Sequence, residues 1–178
     1  MLEDAQVTIS IFTGDDVVSR LRELGALLHA CVHDGASIGF VLPFTADDSE
    51  AFWRRKVLPG VLAGTRVLLV AKAGETIVGS VQLGYDTPPN QLHRADVSKL
   101  LVHPRFRRRG IARALMAELE RLARQLGRTL LTLDTRTGDR AEPLYASLGY
   151  QTAGVIPGYC RDPFEDRLDP TTIMYKAL

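Results

Sequence analysis

Apolar and polar residues alternate from Val7 to Phe12, the two-residue period of a strand with one buried face, and the Gly14-Asp15-Asp16 cluster behind it supplies a turn and helix caps. The period then lengthens. Val17, Leu21, Leu24, Leu27, Leu28 and Cys31 recur at three and four residues, which predicts one helix with a single buried face, ending near His33. Asp34 to Phe40 carries two glycines and no period, so a loop close to a ligand or another backbone is expected. Thr45 and Asp48 predict the capped start of a second helix, running through Phe52 and Trp53 toward Ala63 and kinked or ended at Pro59.

Val67–Ala71 and Thr76–Tyr85 are β-branched and apolar runs joined by Lys72-Ala73-Gly74-Glu75, which reads as an antiparallel hairpin. Ala95–Val102 predicts another strand. After Pro104 and an arginine-rich turn, Ile111, Leu115, Leu119, Leu122 and Leu126 mark the stripe of a long helix that stops at Gly127. Thr129–Leu133, Tyr150–Ile156 and Ile173–Lys176 complete the strands, with a short helix over Ala141–Leu148. The order is α+β, with a strand-turn-helix at its centre.

Composition narrows the class. The 178 residues suit a single domain over 1–178, and 46% hydrophobic with 24% charged residues is ordinary for a globular protein with a substantial core. A formal net charge of +1 means that any phosphate-binding capacity resides in a local cluster, and one exists at 105–109. Cys31 and Cys160 are too few for a disulfide framework and lack metal-ligand spacing; no metal is expected. The start Met1-Leu2-Glu3-Asp4 does not read as a signal peptide, and no apolar run approaches a membrane span, so a cytoplasmic chain without a membrane partner is expected.

A strand ending at Val102, a turn containing Gly110 and a helix start without a capping side chain point several backbone N–H groups at one spot. Arg107, Arg108 and Arg109 add forked donors matched to phosphate oxygens, Gly110 permits close approach, and the small Ala112 leaves the first helical turn uncrowded. Taken alone, the arginine run also reads as a solvated face or a nucleic-acid patch. Its place between an apolar strand and a periodic helix, with no basic face or stacking aromatics elsewhere, favours a pyrophosphate over nucleic acid.

Leu100-Leu101-Val102-His103-Pro104-Arg105-Phe106-Arg107-Arg108-Arg109-Gly110-Ile111-Ala112 resembles motif A of the GNAT acetyltransferase superfamily, whose core Q/R-x-x-G-x-G/A is met by Arg107, Gly110 and Ala112. Leu144-Tyr145-Ala146-Ser147-Leu148-Gly149-Tyr150 resembles the family's motif B. The resemblance implies a mixed, mostly antiparallel sheet of about seven strands, splayed at an acetyl-CoA cleft and flanked by about four helices. It implies acetyl-CoA with its pyrophosphate over Arg107–Ala112, Ile111 included, and its pantetheine arm along Leu100, Leu101 and Val102. Gly138 stands where many members carry an asparagine, which removes one side-chain hydrogen bond to that arm.

An amine attacks a thioester only as the free base, yet an alkyl ammonium titrates near ~10, so a proton acceptor is required. Asp96 and Asp134 are the candidate bases, each on a strand that the resemblance sets beside the cofactor. Asp96 is expected to share a face with Ser98, Leu100 and Val102, while Asp134 ends its strand at the cleft. Tyr145 matches the motif B tyrosine that protonates the departing thiolate. Gly35–Phe40, Asn90–Leu100 and the tail from Pro157 resemble the tabtoxin-resistance branch, which implies a small amino-acid-like amine as acceptor, and Glu165, Asp166 and Asp169 are candidates to attract a cation. The expected activity is acetyl transfer from acetyl-CoA to a primary amine by a monomer or homodimer, in resistance or detoxification. A non-catalytic acyl-CoA sensor is the first alternative and a nucleic-acid-binding module the second.

Overall fold

The computed structural model describes residues 6–178. Strands β1 (Val7–Ile11), β2 (Arg66–Ala73), β3 (Thr76–Gly84), β4 (Arg94–Val102), β5 (Leu130–Arg136), β6 (Gln151–Arg161) and β7 (Leu168–Ala177) form one sheet in the order β1-β2-β3-β4-β5-β7-β6. Every neighbouring pair is antiparallel except β4 and β5. The α+β class and the seven strands are as expected.

The helices are α1 (Gly14–Ser19), α2 (Leu21–His33), α3 (Ala46–Phe52), α4 (Leu58–Leu62), α5 (Ile111–Gln125) and α6 (Ala141–Ser147). Two expected helices are each broken in two. The first breaks at Arg20, whose φ of −109° and ψ of 19° leave the helical range, while a Thr13–Asp16 capping box starts α1. The second begins at the expected Thr45–Asp48 capping box and widens into a π turn over Trp53–Val57 before α4. Pro59 explains the widening: it has no N–H to donate and its ring crowds the carbonyl four residues back, so the ladder shifts to Leu58 N–H donating to Trp53 O.

α5 packs on one face of the sheet, joining Ile111, Leu115, Met116 and Leu119 to Leu69, Ala71, Val81, Leu83, Ala95, Val97 and Leu131. The contact is tight at Gly79, where an added Cβ would stand 2.9 Å from Leu101 O and 3.2 Å from the side chains of both Ile111 and Leu115. α1–α4 cover the other face with Leu24, Leu27, Leu28, Trp53 and Val57 against Leu68, Val70 and Leu101. Leu126 lies outside its expected stripe, 40% exposed, because α5 has already ended; Gly127 at φ 69° completes the stop.

The last two strands are much longer than the alternation indicates. β6 is an edge strand, exposed along nearly its whole length, so no buried period marks it. Pro157 and Gly158, just past the expected end of this strand at Ile156, sit in a register irregularity between Ile156 and Cys160. β5 likewise continues past Leu133 to Arg136, placing Asp134 within the strand rather than at its end.

Candidate active site

β4 and β5 pair only from Arg94↔Leu130 to Asp96↔Thr132. Beyond Asp96 they diverge, and the backbone groups of Val97–Leu101 that would face β5 have no strand partner there. A bulge adds to the opening. The register against β3 jumps between Ser80↔Leu101 and Gln82↔Ser98, and Lys99 takes a left-handed φ of 51°. The bulge also reverses the strand's alternation: Ala95 and Val97 face α5 before it, whereas Leu100 and Val102 do so after it and Leu101 enters the opposite core. The expectation that Asp96 and Ser98 share a face with Leu100 and Val102 is therefore corrected.

The arginine turn closes one end of this opening. Arg108 has φ 64° and Gly110 φ 77°, two left-handed residues leading into α5, and Gly110 caps the helix without any side-chain hydrogen bond. Ala114 N–H is the first to bond back to Gly110 O, which leaves the amides of Ile111, Ala112 and Arg113 unpaired within the helix. A fifteen-residue helix with uncapped amides and its positive dipole end at the mouth of an open groove fits a diphosphate. The guanidinium of Arg107 points away from this set: it pairs with Asp34 at the end of α2, and its Nε donates to Val102 O at 3.3 Å. Arg107 can meet a phosphate there through its backbone, or by leaving Asp34. Arg109 lies over the Phe106 ring, 5.2 Å from its centroid. Val102 O also accepts from Cys31 Sγ at 3.6 Å, a thiol that burial pushes up to about 11 and so keeps protonated.

The two candidate carboxylates occupy different surroundings. Asp96 stands at the last paired position, with one oxygen bonded by both Arg94 and Thr132. Asp134 lies two residues further along β5, on the diverged part of the strand, and accepts one long hydrogen bond from Thr171 Oγ1 at 3.4 Å. Tyr145, on α6, is buried against Tyr150 with ring centroids 5.7 Å apart. Burial first, then the charges of Asp134 and Asp139, push its phenol up, so it remains a proton donor at any neutral pH. The structure thus leaves Asp134 lightly bonded on the diverged strand and ties one oxygen of Asp96 to both Arg94 and Thr132.

Several residues around the opening carry no signal in the sequence pattern. Arg136 Nη2 donates to Gly35 O at 3.3 Å and Nη1 reaches Asp162 at 3.2 Å, joining β5 to the α2–α3 loop and the β6–β7 hairpin. Leu42 N–H donates to Pro163 O at 3.0 Å and strengthens that seam. The acidic tail is not a free anionic patch, since Arg167 takes Glu165 and Asp169 and Arg161 takes Asp166 at 3.0 Å. His29 and His33 stack at 4.0 Å, and His33 Nε2 donates to Phe44 O at 2.9 Å, which holds the loop onto α2. Lys99 looks like an ordinary outward residue of a strand until the bulge turns it toward Phe40 and Phe52.

No helix among the described residues is long and apolar enough to cross a membrane. The family model described as Acetyltransferase (GNAT) family matches residues 40–150. An uncharacterized N-acetyltransferase from the hisH-hisA intergenic region of Azospirillum brasilense is 33% identical over 134 residues, 74% of each chain. Two solved structures share the fold: ribosomal-protein-alanine N-acetyltransferase from Brucella melitensis (TM-score 0.76, 22% identity, 96% of this chain and 99% of that one) and yncA from Salmonella typhimurium with its cofactor acetyl-CoA (TM-score 0.74, 20% identity, 97% and 94%). A sheet opened between β4 and β5, a bulged β4, an uncapped turn at the head of α5 and these likenesses lead to one conclusion: the chain belongs to the GNAT acetyltransferase family and is an acetyltransferase that uses acetyl-CoA.

Proposed function

We propose that the chain acetylates the primary amine of a small acceptor, with Asp134 as the proton acceptor and Tyr145 as the proton donor. The observation that carries this reading is the place of Asp134 on the diverged part of β5, with Tyr145 a buried phenol on which the charge of Asp134 acts. Acetyl-CoA supplies an activated acetyl thioester. The backbone amides of Arg107–Ala112 hold its pyrophosphate, with Arg108 and Arg109 adding positive charge. The unpaired β4 edge at Leu100, Leu101 and Val102 receives the pantetheine arm as a missing strand would be received.

The chemistry divides between two side chains. Asp134 takes the ammonium proton directly or through a water, which turns the acceptor into a nucleophile. Tyr145, kept neutral by burial, donates to the sulfur that leaves. Asp96 serves a positioning role in this scheme, because Arg94 and Thr132 already occupy one of its oxygens and tie β4 to β5 where the opening begins. The short glycine-bearing loop over Gly35–Phe40, seamed to the β6–β7 hairpin, supports a compact acceptor over a polypeptide. The resemblance to the tabtoxin-resistance branch supports an amino-acid-like amine and a role in resistance. The test is acetyl-CoA-dependent release of free thiol with small amines, amino-acid analogues, aminoglycosides and short peptides. Turnover on a small amine is expected, whereas turnover on peptides alone overturns the acceptor class.

A further inference from the structure

Lys99 is a cation without a partner at the acceptor side of the opening. Its ammonium lies 5.8 Å from the centroids of both Phe40 and Phe52, rings set edge to face at 5.2 Å. Among the described residues it makes no hydrogen bond, and no carboxylate comes within 4.0 Å. The charged groups that act on it are Asp134 from β5 and Arg66 from β2; Arg66 is itself hydrogen-bonded to Gln82. Burial lowers the Lys99 ammonium below the ordinary lysine range, and the charge of Asp134 opposes that shift. The placement is also costly, since a non-glycine residue at φ 51° inside a strand is strained by about 1 kcal/mol or more. Gly39, at φ 92°, brings its backbone beside this ammonium, and a Cβ there would stand in ordinary contact with Nζ at 3.6 Å.

A half-buried lysine with two aromatic walls, no carboxylate within 4.0 Å and Asp134 acting on it only through its charge is arranged to receive an anion. We propose that Lys99 is the acid-recognition point of the acceptor subsite, so that the acetylated amine also bears a carboxylate or comparable anionic group: its ammonium lies toward Asp134 and its acid group pairs with Lys99. The two protein charges then meet the two charges of a zwitterion, and each is satisfied when the acceptor binds. This rests on the acetyl-transfer reading above and sharpens it, because simple alkylamines and polyamines lack the anion and leave Lys99 unpaired. Lys99 is a specificity-determining residue in this scheme and moves no proton.

The experiment compares acceptors that differ only in the acid group, an amino acid against its primary amide and its decarboxylated amine, using the full chain with saturating acetyl-CoA. The wild type is expected to favour the acid by about 10–100-fold in kcat/KM, the worth of one charge-assisted hydrogen bond. Lys99→Met should erase that preference chiefly through KM, while leaving acetyl-CoA affinity and turnover of the amide within a few-fold. Lys99→Arg, which keeps the cation, should retain a preference for acids. Equal losses on acid, amide and amine in Lys99→Met, or a wild type that prefers amines without an acid group, would overturn the proposal and make Lys99 a support for Asp134. A second readout does not depend on turnover: with ¹³Cε-labelled lysine, the acid should shift the Lys99 resonance and the amide should not. Absence of thiol release from every acceptor, with that shift intact, would instead sink the catalytic reading; no shift with any acid sinks the role of Lys99.

Discussion

In the proposed scheme the donor side of the cleft is a run of six consecutive residues, Arg107 to Ala112, acting mainly through main-chain amides, whereas the acceptor side gathers Phe40, Phe52, Lys99 and Asp134 from four separate segments. The contrast follows from the ligands. A diphosphate is the same in every turnover and is met by backbone geometry that one glycine and one helix start can encode. An amine acceptor is told from its analogues by side chains, and these are brought together only once α1–α4 have docked on the sheet.

The largest effect that tests this division is expected at the turn. Gly110→Glu places a carboxylate among the amides and forces an L-residue to φ 77°, so acetyl-CoA affinity should fall by about 100-fold or more in calorimetry; retained affinity would remove the turn from the donor site. Next comes Asp134→Asn, expected to lower kcat by about 10²-fold with cofactor affinity unchanged, while Asp96→Asn stays within about tenfold. A reversed ranking would transfer the base to Asp96. Tyr145→Phe should cost about 10-fold to 100-fold in kcat and spare acetyl-CoA binding. Because the phenol is pushed above its ordinary value of 10.0, it stays protonated beyond the usual tyrosine range, and the wild-type kcat should show no tyrosine-dependent loss between pH 7 and 10. A fall near pH 10 that Tyr145→Phe abolishes would contradict the burial argument. The smallest effect is on stability: Gly79→Ala, with its Cβ 2.9 Å from an unyielding carbonyl, should cost about 1–3 kcal/mol in urea unfolding and leave catalytic constants nearly unchanged. No loss would mean that α5 shifts to accommodate it.

The same division governs what could be read from the sequence. Arg107, Gly110 and Ala112 fall within six residues, so their spacing between a strand and a helix singled out the turn proposed for the donor, and the stripe of α5 disclosed the helix behind it. Tyr145 was legible from its motif. The bulge at Lys99 was not, because lysine gives no local signal for a left-handed residue and its neighbours keep a plausible alternation. Nor was the engagement of Arg107 by Asp34, a pairing across 73 positions. Arg20 and Pro59 broke two helices whose apolar period runs on through the interruption, which shows periodicity reporting the buried face more faithfully than the backbone ladder. The length of β6 escaped notice for the opposite reason, since an exposed edge has no buried face to report.

The reversed alternation in β4 gives that strand a parity. Odd positions up to Val97 and even positions from Leu100 belong to the same core, so the single surplus residue is what keeps both halves in phase. Removing Lys99 would therefore be graver than any substitution there: either Ala95 and Val97 would trade faces, or Leu100 and Val102 would do so and Leu101 would leave the core beneath α2. Chain length at this spot is itself under constraint: the fold needs a residue at the bulge whatever its side chain, and the choice of lysine there bears on the acceptor instead.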